Sequence, residues 1–183
     1  MLGDVLNGLE QMRELVTNLL DFTRLDRCKV ADADLNAAMK TVIYIARSSI
    51  PTRTTITEQL GDLPLLPCNP SLLNQVFLNL ITNAAQAIPE EGQILVRTWQ
   101  EAEEIGIEIA DTGTGIPSDV LPRIFETFYT TKPRGVGTGL GLSIARDIIE
   151  NHGGKITVDS QIGHGTTFRV KLPRQVPETV QAQ

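Results

Sequence analysis

Two asparagines lie four residues apart in an apolar stretch of the sequence, the segment Asn79-Leu-Ile-Thr-Asn83-Ala-Ala-Gln-Ala87. On a helix, a spacing of four places both amides on the same face. An amide oxygen is a hard, neutral ligand, which suits a magnesium ion whose remaining ligands are water and phosphate. The two side chains could instead cap or solvate a surface helix, and the segment alone favours that simpler interpretation.

A carboxylate followed by two glycines comes directly after an alternating apolar stretch. Ile105, Ile107 and Ile109 alternate as in a β-strand, and Asp111 then begins the segment Asp-Thr-Gly-Thr-Gly-Ile. The glycines allow the backbone to turn tightly beneath a flat ligand. An ionised carboxylate only accepts hydrogen bonds, which matches the exocyclic amino group of adenine. A plain Asp/Gly turn is the alternative interpretation.

Glycine occupies every second position from 135 to 141, just before a predicted helix. Backbone N–H groups at a helix N-terminus can cradle phosphate. The segment has no Gly-Lys-Ser/Thr ending, and Leu142 stands where a dinucleotide fingerprint needs a small residue. A flexible linker is the alternative, but the apolar periodic stretch over 142–149 argues against it. The further segment Gly-His-Gly-Thr-Thr-Phe, residues 163–168, could be simply a hairpin turn.

Composition limits the function classes. A hydrophobic content of 41% with 21% charged residues is typical of a globular protein, and the net charge of −6 argues against broad nucleic-acid binding. Cys28 and Cys68 lie too far apart in sequence to indicate a zinc motif or a disulfide framework. No apolar run is long enough to span a bilayer. We expect a cytoplasmic piece, although a longer parent protein could be anchored in a membrane.

The hydrophobic periodicity predicts an α+β fold, with a mixed sheet of about five strands and three main helices on one face. It also predicts one long helix over 2–27, whose broad apolar stripe favours a helical bundle over packing on its own domain. We therefore divide the chain into a helix (1–28), a domain (29–173) and a frayed tail (174–183). The predicted main helices cover 34–49, 71–88 and 139–151, with a short helix near 118–124, and the predicted strands cover 54–60, 93–100, 104–110, 155–160 and 166–172.

Together these segments resemble the N, G1, G2 and G3 boxes of the ATP-binding fold shared by histidine kinases, the DNA gyrase B subunit, mismatch-repair ATPases and heat-shock chaperones. Residues 125–132, Phe-Glu-Thr-Phe-Tyr-Thr-Thr-Lys, resemble the F box of histidine kinases and stand correctly between G1 and G2. The resemblance covers about residues 30–172. The strings "NAAQAIPE", "FYTTKP" and "GTGLGLSIARDIIENHGG" are most similar to the nitrogen-regulation branch of sensor kinases. The resemblance implies the two-layer α/β sandwich called the Bergerat fold.

The resemblance also implies Mg²⁺ with ATP or ADP as the ligand, and a role for each segment. Asn83 holds the magnesium ion, Asn79 supports the phosphates and Asp111 binds the adenine amino group. Residues 125–138 form a mobile lid over the nucleotide, and Thr166 lies beside the base. The implied ATP-binding residues are Asn79, Asn83, Gln86, Ala87, Asp111, Gly113, Gly115, Ile116, Tyr129, Thr130, Thr131, Lys132, Gly137, Thr138, Gly139, Leu140, Gly141, Leu142 and Thr166.

One position distinguishes kinases from hydrolases within the family. Hydrolytic members carry a glutamate four residues before the magnesium asparagine, and here that residue is Asn79, which cannot act as a base. The resemblance therefore implies a catalytic domain that presents ATP to a histidine on a helical hairpin. Residues 9–26 resemble the second helix of that hairpin, and the first helix is absent. The two histidines, His152 and His164, are expected to be a helix-end residue and a turn residue, so we expect no self-phosphorylation.

The implied partners are ATP, the stalk that bears the acceptor histidine and, through the full kinase, a response regulator receiver domain. The N-terminal helix could also pair two copies of the chain as a homodimer, and we expect no nucleic-acid partner. Two other functions of the same fold stay open. One is an anti-sigma-factor-type serine kinase, against which the long N-terminal helix argues, and the other is a nucleotide-gated docking module.

Overall fold

The computed structural model describes residues 30–48, 50–132 and 137–174. The predicted helix over 2–27 and nearly all of the predicted tail lie outside these ranges. Along the described ranges, no helix has both the length and the apolar character that crossing a bilayer requires.

Along the described ranges three α-helices form, and local sequence explains where the first two begin. Asp34 precedes the first helix, and its side chain accepts the N–H of Ala37 at 3.0 Å, as the sequence predicts for an N-cap. The second helix has Asn69 as its cap and proline in its first turn, so the cap lies two residues before the predicted entry at Ser71. The helices are α1 (Leu35–Arg47), α2 (Pro70–Ala87) and α3 (Gly141–Asn151).

Within the described part of the chain, seven strands form two sheets. The strands are β1 (Ala31–Ala33), β2 (Thr54–Leu60), β3 (Leu66–Cys68), β4 (Gly92–Glu101), β5 (Glu104–Asp111), β6 (Lys155–Gln161) and β7 (Gly165–Pro173). The main sheet has the order β2-β4-β5-β7-β6, in which β2 pairs parallel with β4 and all other neighbours are antiparallel. β1 and β3 pair antiparallel in a separate small sheet. The mixed five-stranded sheet and the three helices confirm the predicted α+β sandwich.

The core lies between the main sheet and α2. Alternate residues of β5, from Ile105 to Ile109, are at most 1% exposed, as are Phe77 and Leu80 on α2. Burying each such side chain contributes roughly 1.5–3 kcal/mol relative to leaving it exposed. Because α2 also contacts both α1 and α3, its apolar face is covered on three sides. The remaining face of α2 carries Asn79 and Asn83.

Two predicted helix boundaries were wrong, and each has a local cause. The helix predicted near 118–124 is only a short 3₁₀-helix over Leu121–Arg123, where Pro122 provides no N–H to continue an α-helical ladder. The third helix begins at Gly141 and not at residue 139. Gly139 has φ of +69°, a left-handed conformation that cannot extend the helix backwards.

His152 follows α3 and links the end of that helix to the start of α2. Its Nδ1 lies 2.7 Å from the carbonyl oxygen of Ile148, and its Nε2 accepts the N–H of Asn69 at 3.1 Å. These contacts require a neutral imidazole that carries its proton on Nδ1. Burial lowers the pKa of His152, and the hydrogen bond to Ile148 only partly offsets that effect. His152 is therefore a packing residue of the helix end.

We expect acidification to weaken the fold through His152. The unfolded imidazole has a pKa of about 6.5, and the folded pKa is lower. The stability that neutral His152 provides is therefore full above about pH 6.5 and is lost as the pH falls from there towards the folded pKa. Urea unfolding at pH 7.5 and 5.5 should show this loss in the unmutated chain but not in His152→Gln. The matched control His164→Gln changes the exposed histidine and should keep the loss; an equal response in all three chains would contradict the prediction.

Candidate functional site

A cavity of about 540 Å³ lies between α2, the end of β5, α3 and the segment that precedes α3. All the residues predicted to bind ATP line it except Gly113 and Leu140. The cavity is also lined by apolar residues that the sequence analysis did not assign to the site. Their hydrophobic pattern indicates burial but does not show which of them border a void; these residues are Val76, Leu78, Ala84, Val120, Ile124, Ile144, Ala145, Ile148 and Phe168.

Gly113 and Leu140 do not line the cavity but are next in the chain to residues that do. The N–H of Gly113 donates to Oδ1 of Asp111 at 2.8 Å, and a Cβ added to Gly113 would lie 2.4 Å from the carbonyl oxygen of Ala87. Leu140 is 9% exposed and precedes the first residue of α3. Both residues therefore shape the walls of the cavity without lining it.

Asp111, the last residue of β5, is a buried carboxylate held by backbone donors. Asp111 is only 7% exposed, and its Oδ1 accepts the N–H of Gly113 at 2.8 Å and the N–H of Thr166 at 3.3 Å. Burial raises the pKa of Asp111, while the two backbone hydrogen bonds act in the opposite direction. Within the part of the chain that the structure describes, Oδ2 makes no hydrogen bond. Asp111 thus offers one oxygen acceptor to the cavity.

Asn79 and Asn83 contact each other along α2 and orient the second amide. Nδ2 of Asn83 donates to Oδ1 of Asn79 at 3.2 Å, so Oδ1 of Asn83 is left for another partner. That partner is Nζ of Lys132, at 2.9 Å, which also donates to Oε1 of Gln86. The amide oxygen of Asn83 therefore already contacts a cation. This arrangement fits a site for a hard metal ion.

The side-chain amide of Asn79 includes a buried hydrogen-bond donor, Nδ2. Its Nδ2 has no hydrogen-bond partner among the described residues, which costs roughly 1–3 kcal/mol if no ligand supplies one. Gly141 allows the start of α3 to approach this amide, because a Cβ there would lie 2.4 Å from Oδ1 of Asn79. Since Asn79 lines the cavity, an anionic oxygen in the cavity is the kind of acceptor that this donor requires.

The segment 125–132 packs onto the glycine-rich segment before α3. The N–H of Phe128 donates to the carbonyl oxygen of Gly139 at 2.9 Å, and a Cβ on Gly139 would lie 2.4 Å from the carbonyl carbon of Phe128. Phe128 itself has φ of +66°, which is strained for a residue with a side chain. The guanidinium of Arg123 lies 4.2 Å from the ring centroid of Tyr129. These contacts hold the segment beside the start of α3, and its residues 129–132 line the cavity.

A metal ion in this cavity would have no cluster of charged side chains to bind it among the described residues. The ranges that the structure describes hold no group of three or more His, Cys, Asp or Glu residues that could bind a metal ion. The candidate protein ligand is the amide oxygen of Asn83. Oxygens from water and from a bound polyphosphate would complete its coordination.

The model of the family described as "Histidine kinase-, DNA gyrase B-, and HSP90-like ATPase" matches residues 68–176, which is more than half of the chain. The chain belongs to this family. The match confirms the resemblance to the ATP-binding domain of histidine kinases. The finer assignment to the nitrogen-regulation branch stays a prediction.

Two relatives of this ATPase domain are sensor kinases. The sensor kinase CckA of Brucella abortus (strain 2308) is 37% identical, over 96% of this chain and 20% of that protein. The signal transduction histidine-protein kinase AtoS of Escherichia coli (strain K12) is 36% identical, over 94% of this chain and 28% of that protein. The chain thus spans between a fifth and just over a quarter of the length of these curated relatives.

Two solved structures share the fold. The nucleotide-free catalytic domain of histidine kinase ThkA has a TM-score of 0.72 and 30% identity, over 80% of this chain and 96% of that chain. Full-length ShkA in complex with AMPPNP has a TM-score of 0.80 and 26% identity, over 91% of this chain and 36% of that chain. The two comparisons confirm the Bergerat ATP-binding fold for this ATPase domain.

We expect Asp111→Asn to stabilise the nucleotide-free chain at neutral pH. Because the folded pKa of Asp111 is raised, its stabilising contribution is present below its ordinary pKa of 3.8 and is lost as the pH rises through the folded pKa. Asparagine keeps an oxygen acceptor without the buried charge, so the melting temperature at pH 7 should rise by a few degrees. The gain should shrink at pH 4. The control Asp119→Asn, at an exposed position, should change the melting temperature neither at pH 7 nor at pH 4.

Proposed function

We propose that the domain over 29–173 binds Mg-ATP and presents it for phosphoryl transfer to a histidine on a helical hairpin, as part of a two-component sensor histidine kinase. One observation carries this proposal: the buried carboxylate of Asp111 and the Asn83–Lys132 contact face one cavity. An acceptor at one end and cationic and amide groups at the other end match the two ends of a nucleoside triphosphate. The similarity to sensor kinases supports the same conclusion.

At the acceptor end, Asp111 receives the exocyclic amino group of adenine. Its Oδ2 is the oxygen left after Oδ1 accepts from the backbone of Gly113 and Thr166. Apolar lining residues such as Ile116 and Phe168 cover the faces of the ring. Burial strengthens the interaction, since a hydrogen bond to a charged group contributes more in a poorly solvated site.

At the other end, Asn83 ligates magnesium and Lys132 binds phosphate. Magnesium, when bound, neutralises charge that develops on the transferring phosphoryl group. Lys132 supplies a positive charge from the segment over the cavity, and the amide of Asn79 donates its unpaired N–H to a phosphate oxygen. These residues orient the triphosphate, which is the main contribution that a protein makes to phosphoryl transfer.

The residue four positions before Asn83 favours transfer to a protein over hydrolysis. Oδ1 of Asn79 accepts from Asn83, and the amide has no basic group that could remove a proton from water. Without a base, water at this position gains little nucleophilicity. A neutral imidazole needs no such base, because it attacks through its own unprotonated nitrogen.

The proposal also includes parts of a sensor kinase that lie outside this domain. Residues 1–28 would be the second helix of the stalk, which could also join two copies as a homodimer. A receiver domain of a response regulator would then take the phosphoryl group from the histidine. This assembly would work in the cytoplasm, with or without a membrane anchor elsewhere in the parent protein.

Calorimetric titration of ADP, with and without Mg²⁺, tests the nucleotide site. We expect the unmutated chain to bind ADP more tightly with Mg²⁺ present. Asp111→Asn should lose binding, because its amide N–H₂ would face the adenine amino group. Asn83→Ala should lose most of the gain from Mg²⁺, whereas the control Asn151→Ala, exposed at the end of α3, should retain it. Unchanged binding by Asp111→Asn would refute the adenine site.

We expect no phosphohistidine on this chain after incubation with labelled ATP. Both ring nitrogens of His152 are engaged, with the carbonyl of Ile148 and the N–H of Asn69, so His152 cannot attack phosphorus. Acid-labile label should appear on an added helical hairpin that bears a histidine, and only with ATP-binding-competent protein. Label on His152 or His164 would contradict the prediction, and acid-stable label on serine would favour a serine kinase.

A further inference from the structure

Ser160 lies on β6, outside the predicted set of site residues and outside the lining of the cavity. Its hydroxyl nevertheless joins β6 to two segments that border the cavity. Oγ of Ser160 accepts the N–H of Ile116 at 2.8 Å and donates to the carbonyl oxygen of Gly165 at 3.0 Å. It also lies 2.9 Å from Oγ1 of Thr166, where either hydroxyl could be the donor.

The number of protons available decides which hydroxyl donates. A serine hydroxyl has one proton and two acceptor lone pairs. The carbonyl of Gly165 can only accept, so it takes the proton of Ser160. The two lone pairs of Ser160 then accept from Ile116 and from the hydroxyl of Thr166. The proton of Thr166 is therefore directed at Ser160, and its oxygen presents lone pairs to the cavity that Thr166 lines.

The backbone makes this arrangement rigid. Ser160 is the direct cross-strand partner of Thr166, which in turn is the cross-strand partner of Asp111. Gly165 has φ of +95°, and a Cβ there would lie 1.9 Å from the carbonyl oxygen of Asp111. Thr166 is 4% exposed, so its side chain has little freedom to turn. The acceptor oxygens of Asp111 and Thr166 therefore lie on neighbouring strands at one end of the cavity.

Two neighbouring acceptors distinguish between purines. The 6-amino group of adenine has two N–H donors, whereas the 6-oxo group of hypoxanthine or guanine has none. We infer that Ser160 is a positioning residue for base selectivity: it holds the Thr166 hydroxyl as an acceptor, so that the site selects 6-aminopurine over 6-oxopurine nucleotides. This inference rests on the proposed function, which places the base beside Asp111.

Titration of ADP and inosine diphosphate, with Mg²⁺, into the 183-residue chain tests this role, because the two nucleotides differ only at purine position 6 and in the N1 proton that accompanies the 6-oxo group. We expect the unmutated chain to prefer ADP. In Ser160→Ala the hydroxyl of Thr166 loses its acceptor and can rotate to donate to the 6-oxo group. The preference for ADP over inosine diphosphate should therefore fall by about threefold to tenfold. Asp111 keeps the preference from reversing. If the role of Ser160 were purely structural, Ser160→Ala would weaken the binding of both nucleotides alike. An unchanged ratio of the two affinities would overturn the inference.

Three further variants separate the possible outcomes. Ser160→Thr keeps the hydroxyl and should restore the ratio. Thr157→Ala removes a side-chain hydrogen bond to the carbonyl of Arg169, 3.4 Å long, from the same strand but outside the cavity lining, and should leave the ratio unchanged. On a Thr166→Val background, Ser160→Ala should have no further effect on the ratio, since no hydroxyl remains to turn. A further effect there would overturn the inference.

Binding by the unmutated chain also separates the proposed nucleotide site from the role of Ser160. If it binds neither nucleotide, the proposed function fails and the role of Ser160 fails with it. If it binds both nucleotides equally, the nucleotide site stands and only the inference about Ser160 is overturned.

Discussion

The placement of α2 controls the geometry of the rest of the site. Its apolar face, which includes Leu73, Phe77 and Leu80, is at most 1% exposed beneath the sheet and between the other two helices. That burial fixes the rotation of the helix about its axis, and the rotation determines where Asn79 and Asn83 point. A change in the core that rotated α2 would move the amide oxygen of Asn83 away from Lys132, although neither residue belongs to the core.

The site also retains groups that oppose folding. Asp111 keeps a charge in a buried position, Asn79 keeps an unpaired amide N–H, and Phe128 adopts a left-handed backbone conformation. Each arrangement raises the free energy of the nucleotide-free state, and each lies where a ligand could relieve it or benefit from it. The pattern is typical of a binding site, in which stability is reduced locally so that the ligand finds oriented groups.

Much of this architecture could be predicted from local sequence, because local rules govern it. The cap at Asp34, the alternation in β5 and the four-residue spacing of Asn79 and Asn83 each depend on neighbours along the chain. The start of α3 was missed, since the left-handed Gly139 is set by its packing against Phe128. Ser160 was missed because its importance arises from three partners, Ile116, Gly165 and Thr166, which strand register and the loop after β5 bring together. The contact of Lys132 with Asn83 spans 49 residues, and no local pattern encodes it.

The contact between Lys132 and Asn83 has a consequence for how the affinities of two ligands of the cavity would depend on each other. A divalent ion at the Asn83 oxygen and an ammonium group about 4 Å away repel each other by about 2 kcal/mol even with the dielectric constant of water. If the cavity binds a Mg-nucleotide as proposed, the negative charge of the phosphates would offset this repulsion. Thermodynamic linkage would then require reciprocity: the nucleotide would favour the ion by the same factor as the ion favours the nucleotide. Under that proposal, the binding of the ion and the binding of the nucleotide would depend on each other in one cavity.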